Sequence, residues 1–539
     1  MAPKLDLETV EIAHANDVNA LISEMDRQLE AAGGLQEGFF HPRFRHPRHF
    51  TWLLVAFASM GGLLSGLDQS LISGANLYLP ADLGLSDREN SLVNSGMPLG
   101  AVGGALLLSP ANEYFGRKGA IIISIVLILS NAVDEAMMVA ARVILGLGVG
   151  LEGGTVPVYV AETVERSIRG NLVSLYQFNI ALGEVLGYAV AAMFLKVSGN
   201  WRFILGSSLL FSTVMFIGML FLPESPRYLM HKGRKLDSYK VWKRIRGIES
   251  SESRLEFFLM AATVQEDALV DQGEAKNRRF PWLDFFTVPR ARRALVYANI
   301  MVLLGQLTGI NAIMYYMSVL MNQIGFDPER ANYMSLVGGG SLLIGTIPAI
   351  FLMERFGRRF WAITMLPGFL VGLVLIGVSY QIPLQTHTMA VEACYLTGLV
   401  IYMGFFGSYA CLTWVIPSEV YPTYLRSYGM TTSDALLFFA SFIVTYNFTA
   451  MQKAMTRTGL TLGFYGGIAL LGELYQILLM PETKNKTLEE IDAVLSRPTL
   501  EIARENWAGV KENVRNLLGG RFGEVFLQRE GRSGSMEKE

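Results

Sequence analysis

The sequence predicts an all-α, polytopic membrane protein built from two six-helix halves, and three observations carry that prediction. Of 539 residues, 51% are hydrophobic and only 17% charged. A mean hydropathy of +0.34 is too high for a chain whose surface must face water. Apolar runs of roughly 18 to 25 residues recur between short charged connectors, the length that crosses ~30 Å of hydrocarbon at ~1.5 Å per residue. A set of charged motifs also appears twice in the same order.

The runs place spans at 51–77, 91–110, 119–138, 142–162, 172–195 and 203–222, then at 294–320, 332–352, 360–380, 392–416, 428–450 and 460–480. They define a first half over 51–222 and a second over 294–480, joined by a polar linker at 223–293 that carries His231-Lys232-Gly233-Arg234-Lys235. Residues 1–50 and 481–539 flank them as polar segments. Positive charge concentrates in His41–His49, Arg117-Lys118, the linker, Arg355 with Arg358-Arg359, and the tail. The positive-inside rule puts all of these, and both termini, in the cytoplasm, as an even number of spans permits. No apolar stretch opens the chain, so no cleaved signal peptide is expected. Helix-like spacing at 6–32 and 487–530 reads as short amphipathic cytosolic helices or disorder, with a regulatory or partner-docking role as the alternative.

Composition also excludes classes of function. A net charge of −2 gives no reason to expect nucleic acid as a partner. The two cysteines, Cys394 and Cys411, sit in or beside apolar segments and read as packing, not as a disulfide framework or metal knuckle. Neither a phosphate-cradling loop nor a nucleophile-base arrangement with plausible geometry is present, so an enzyme, a cofactor and a metal site are not expected. Glycine pairs such as Gly103-Gly104 read as close helix packing.

The doubled motif is specific. Glu113-Tyr114-Phe115-Gly116-Arg117-Lys118 is echoed by Glu354-Arg355-Phe356-Gly357-Arg358-Arg359, each between the second and third spans of its half. Pro157–Glu162 is answered by Ser418–Pro422, and Pro223-Glu224-Ser225-Pro226-Arg227 by Pro481-Glu482-Thr483-Lys484. Two homologous halves follow. Acids and arginines at matching helix ends can pair and hold the inner mouth shut until the halves rock apart. The candidates are Glu113, Arg117, Glu162 and Arg169 in the first half, and Glu354, Arg358, Glu419 and Arg426 in the second.

With Arg142, Arg169-Gly170, Gln306–Asn311 and Tyr315-Tyr316 added, the chain resembles the sugar porter family of the major facilitator superfamily over about residues 50–495, in the style of fungal monosaccharide transporters. That resemblance implies a multi-pass carrier, expected in the plasma membrane and functional as a monomer. It would move a small neutral sugar or polyol by alternating access, with protons as the co-transported species. Facilitated uniport and a carrier-like sugar sensor stay open as alternatives.

Asp68, midway through the first span, is an ionisable group in the bilayer and a candidate for function by position alone. Arg142 on the fourth span is its partner. The resemblance gives the aspartate the proton and the arginine the role of facing it, so that loading with H⁺ weakens the pair and favours one orientation. A sugar's hydroxyls both donate and accept, which calls for neutral amides and an aromatic face. Gln177, Gln306, Asn311 and Trp414 fall where the family places such groups, and Tyr315 and Tyr316 match its outer gate. Departures point away from glucose. Glu184, seven residues after Gln177 and on the same helical face, replaces a usual glutamine with an acceptor-only group or second proton site, and argues against carboxylate substrates. Gly305, Leu342 and Ala410-Cys411 replace other familiar hexose contacts.

One irregularity interrupts the repeat. Gly116 to Glu162 spans 46 positions and Gly357 to Glu419 spans 62. The third span is therefore short, and Asn131, Asp134 and Glu135 follow its apolar run. Either a segment is missing, as from an erroneous gene model, or the third helix is naturally short and tilted.

Overall fold

The structure, a computed structural model, describes residues 7–34, 47–129, 138–163, 169–273, 281–422, 425–483 and 495–519. Among them no strand occurs, and the helices follow the apolar runs. An N-terminal helix α1 (Leu7–Ala31) precedes five long elements: α2 (Pro47–Ala75), α3 (Asp87–Leu129), α4 (Met138–Thr163), α5 (Arg169–Met193) and α6 (Ser208–Phe221), the last continuing a short helix Asn200–Gly206. Three linker helices follow, α7 (Pro226–His231), α8 (Lys235–Ile245) and α9 (Ser251–Gly273). The second set comprises α10 (Pro289–Leu307), α11 (Ile310–Gln323), α12 (Pro328–Phe356), α13 (Arg358–Ser379), α14 (Leu384–Val420), α15 (Arg426–Met455) and α16 (Gly466–Leu479), the last entered through the π-helical stretch Gly459–Tyr465. Helix α17 (Thr499–Leu518) closes the described chain.

Among the described residues nine helical segments are long and apolar enough to cross a membrane. One of them, 87–127, holds two expected spans end to end, because α3 turns at Gly116, where φ is 79°. Helices α2 and α5 stand at two further expected positions outside those nine. Large apolar side chains face outward, among them Leu106, Leu107, Leu210, Ile344, Phe351 and Leu471. Such a surface suits lipid and not water. The expected third span runs from the turn at Gly116 to Leu129 as helix; Asn131, Asp134 and Glu135 lie outside the described residues, as does most of the basic stretch His41–His49.

Glycine sets how closely the helices approach. A first side-chain carbon on Gly100 would lie 2.0 Å from the Val143 carbonyl oxygen, and one on Gly146 2.1 Å from that of Met97. The backbones of α3 and α4 thus touch, as in small-residue packing between membrane helices. The same holds between α2 and α5, where a carbon on Gly183 would meet the Leu63 carbonyl at 2.0 Å.

Both terminal helices pack against other parts of the chain. Ile22, Met25 and Leu29 of α1 are buried in one cluster with Tyr239 and Trp242 of α8 and Phe257 of α9. At its edge Asp26 accepts from Tyr239 Oη at 2.9 Å and Lys243 Nζ at 2.8 Å. Asn506 of α17 donates to the Leu478 and Met480 carbonyls, supplying partners for acceptors that the end of α16 leaves open. The apolar spacing was visible in sequence; the face it meets belongs to a distant segment.

Candidate functional site

Two layers build the site: a mid-bundle cavity and, below it, a charged end where the turns carry the repeated motifs. The cavity is partly open to solvent, and its empty space, open solvent included, comes to about 690 Å³. Its polar lining includes Gln177 and Glu184 from α5, Gln306 and Asn311 from either side of the break between α10 and α11, and Trp414 from α14. The break lies at Thr308-Gly309, where Gly309 has φ 96° and the ring of Tyr465 packs against it. Tyr402 Oη donates to the freed Thr308 carbonyl at 3.1 Å. Interruption of the helix thus turns two amides into one wall of the cavity, with the Thr308 carbonyl paired to a side chain.

Across the cavity, Trp414 Nε1 donates to Gln177 Oε1 at 2.9 Å, linking helices 237 positions apart in the chain. The Tyr176 ring meets Trp414 edge-on at 5.1 Å. Asn311 Nδ2 donates to Gln306 Oε1. Glu184 differs from these amides: it is 1% exposed, and neither carboxyl oxygen has a hydrogen-bond partner. Leu342 and Ala410, two of the departures read from the sequence, also line the cavity and present no polar group to it.

Asp68 and Arg142 lie beside this chamber. Ser65 and Gln69 of α2 line it, and between them Asp68 accepts from Arg142 Nη1 at 2.7 Å with both oxygens. The side chains are only 5% and 2% exposed, and the guanidinium's Nε and Nη2 make no hydrogen bond. Tyr315 is fully buried, its hydroxyl 3.6 Å from Met97 Sδ, and Tyr316 Oη donates to the Thr445 carbonyl at 3.4 Å. Beyond them Ser73 Oγ accepts from the Ser318 amide at 3.2 Å, and Lys453 pairs with Asp87, so the two sets of helices meet at this end.

At the opposite, basic end the repeat appears as matched geometry. Arg117 makes a two-pronged pair with Glu162 at 3.0 and 2.9 Å, and Arg358 pairs with Glu419 at 2.7 Å. Glu224 accepts from the amides of Arg117 and Lys118 at 2.9 and 3.1 Å. Its counterpart Glu482 accepts from those of Arg358 and Arg359 at 3.0 and 3.3 Å. Burial pushes the Glu224 carboxyl above its ordinary range, while the backbone donors pull the other way. Arg426 is half-buried at the start of α15. Glu113 does not join its predicted network: it is exposed, and among the described residues only its backbone carbonyl is engaged, by Tyr228. Arg169 and Glu354 stand in helices, but their side chains lie outside the described set.

Sequence reasoning missed the roles of Glu224 and Glu482, although their doubled Pro-Glu context was the signal for them. It also passed over Glu152 and Asp434, acids within apolar runs, which are 1% and 3% exposed.

The chain matches the family model for "Sugar (and other) transporter" over residues 54–495. It is 76% identical over 534 residues to the myo-inositol transporter FST1 of Gibberella moniliformis, covering 97% of this chain and 93% of that one. The major myo-inositol transporter IolT of Bacillus subtilis is 30% identical over 459 residues, 82% of this chain and 94% of the other. Among solved structures, the proton:xylose symporter XylE of E. coli bound to 6-bromo-6-deoxy-D-glucose superposes with a TM-score of 0.70 at 26% identity, covering 84% of this chain and 100% of that one. The chain therefore belongs to the sugar transporter family of the major facilitator superfamily, as a multi-pass membrane carrier of sugars or polyols and not an enzyme.

Proposed function

We propose that this carrier is a proton-coupled symporter of myo-inositol or a closely similar cyclic polyol, working as a monomer in the plasma membrane with its basic end and both termini in the cytosol. The observation that carries the coupling is the buried Asp68–Arg142 pair beside the amide-lined cavity. Protonation of Asp68 removes the negative charge that holds Arg142, so occupancy by H⁺ and the arrangement of α2 against α4 are linked.

The cavity supports a cyclic polyol. Such a ring carries a hydroxyl on every carbon and no ring oxygen, so it offers many donors. Glu184, with two unpartnered oxygens, supplies acceptors for a pair of adjacent hydroxyls, and the amides of Gln177, Gln306 and Asn311 both donate and accept. Trp414 presents an apolar face to ring C–H groups. The names of the similar carriers from Gibberella moniliformis and Bacillus subtilis support the same substrate, and that of XylE supports proton drive.

In a host without inositol uptake, the chain should accumulate labelled myo-inositol uphill in competition with a panel of hexoses and pentoses. A protonophore should abolish accumulation, and Asp68→Asn should lose it while keeping exchange. Accumulation that survives either change refutes the coupling; uptake of a hexose in preference to myo-inositol refutes the substrate.

A further inference from the structure

Among the described residues, two buried carboxyls lie outside both the coupling pair and the cavity lining. Glu152 of α4 is 1% exposed and Asp434 of α15 is 3% exposed, and none of their four oxygens has a hydrogen-bond partner. They come from opposite halves of the molecule. The Asp434 carboxyl rests against Gly153 and Gly154, where an added side-chain carbon would come within 3.2 to 3.5 Å of its oxygens. Glu152 fills the space left by Gly61 of α2, on which such a carbon would lie 1.3 Å from Oε1. Three glycines thus clear room for two acids at one level of the bundle.

That level lies between the cavity and the basic end. Asp434 is ~12 Å along α15 from Arg426, and Glu152 is ~15 Å along α4 from Glu162, at ~1.5 Å per residue. Leu437 and Phe438, one turn beyond Asp434, already line the cavity. Tyr176 of α5, itself part of the cavity wall, is within electrostatic range of both acids. Among the described residues no cation is paired with either acid: Arg142, further out on α4, is engaged by Asp68, and Arg117, further in, by Glu162.

We infer that Glu152 and Asp434 form a second proton site, a latch across the inner half of the pathway that is closed when both carboxyls carry protons and is controlled by cytosolic pH. In the packed arrangement two ionised carboxylates would be unpaired charges in a dry site, which costs far more than two neutral acids. When the halves part at the basic end, which rests on the orientation proposed above, water reaches both groups. Each O–H bond then breaks, its electrons stay on the carboxylate, and each proton passes to cytosolic water. Reclosing would bury two carboxylates, each without a counter-charge, so it waits until the cytosol returns both protons. These protons leave to and come back from one side, so this site adds nothing to the proton-to-substrate ratio. It makes return of the carrier faster in an acid cytosol and slower in an alkaline one.

The test uses inside-out vesicles containing the full-length Asp68→Asn protein, in which the coupling aspartate cannot titrate, and follows exchange of labelled myo-inositol as bath pH is varied on the cytosolic face. Exchange should fall about tenfold or more between pH 6 and pH 8, since proton occupancy of one limiting group changes by up to about tenfold per pH unit. Adding Glu152→Gln and Asp434→Asn should flatten that dependence to within about twofold. In the protein with Asp68 intact, the same two substitutions should leave the proton-to-substrate ratio unchanged. An unchanged pH slope in the substituted protein, a fall in that ratio, or control of the rate by sodium in place of choline overturns the proposal. Infrared spectroscopy of the purified, unaltered protein tests it independently of transport. Carbonyl bands of protonated carboxylic acids should be present at neutral pH, one lost in Glu152→Gln and another in Asp434→Asn; their absence overturns the proposal even if myo-inositol proves not to be the substrate.

Discussion

Replacing Asp68 by Ala should be among the most destabilising single changes in this protein, and the structure supplies the size of the effect. The substitution strands the Arg142 guanidinium at a site where its side chain is 2% exposed. Two of its nitrogens already lack partners, so the two bonds to Asp68 are what holds the charge. Removing one member of a buried ion pair costs roughly 3–5 kcal/mol, whereas replacing both by apolar groups is often close to neutral. Asp68→Leu with Arg142→Leu should therefore recover most of the loss, giving a coupling energy of about 3 kcal/mol in the double-mutant cycle. Unfolding of the purified protein by graded denaturing detergent measures all four corners of the cycle. A single variant that loses under ~1 kcal/mol, or a double variant whose loss is the sum of the singles, would refute the claim that this pair is dry and mutually dependent. Transport separates the two roles of the pair, because the double variant should fold yet fail to accumulate substrate.

Three further outcomes follow from other contacts. Gly146→Val places a side-chain carbon 2.1 Å from the Met97 carbonyl oxygen and should cost at least ~1–3 kcal/mol, seen as loss of the monodisperse peak on size-exclusion chromatography; retention of that peak would contradict backbone contact between α3 and α4. Trp414→Ala removes both the donor to Gln177 and the aromatic wall, and should weaken myo-inositol binding by at least about tenfold, which calorimetry on the purified carrier can read. Glu224 has its carboxyl raised by burial, so its contribution to stability is full below its ordinary range and declines as pH rises through the shifted value. Glu224→Gln should flatten that part of the stability profile from pH 4 to 8, and an unaltered profile would assign the titration elsewhere.

Local information was enough for much of this molecule. Hydrophobicity along the chain is a one-dimensional quantity, and a run such as 360–380 or 428–450 has no low-energy place except as a helix in lipid, because lipid offers backbone groups no other partner. The turns at Gly116 and Gly357 were legible for a similar reason: each combines a residue free to take positive φ with basic neighbours, twice in the same order. Asp68 was legible because an acid in an apolar helix is costly wherever the helix packs.

What lay beyond the sequence depends on how the helices rotate and meet. Gln177 could be placed on a face, but its hydrogen bond to Trp414 requires two helices from opposite halves to approach. Nothing local distinguishes Glu162, which holds Arg117, from Glu113, which sits four residues away from that arginine yet points outward. Glu152 and Asp434 each read as an isolated acid in an apolar run. Only the packing of α4 against α2 and α15 removes their partners and brings them to one level. The sequence by itself determined the membrane-spanning helices, the repeat and the coupling candidates, since these follow from local polarity and spacing. Tertiary structure alone decided which charges are satisfied, because pairing depends on the distance between segments and not on their order along the chain.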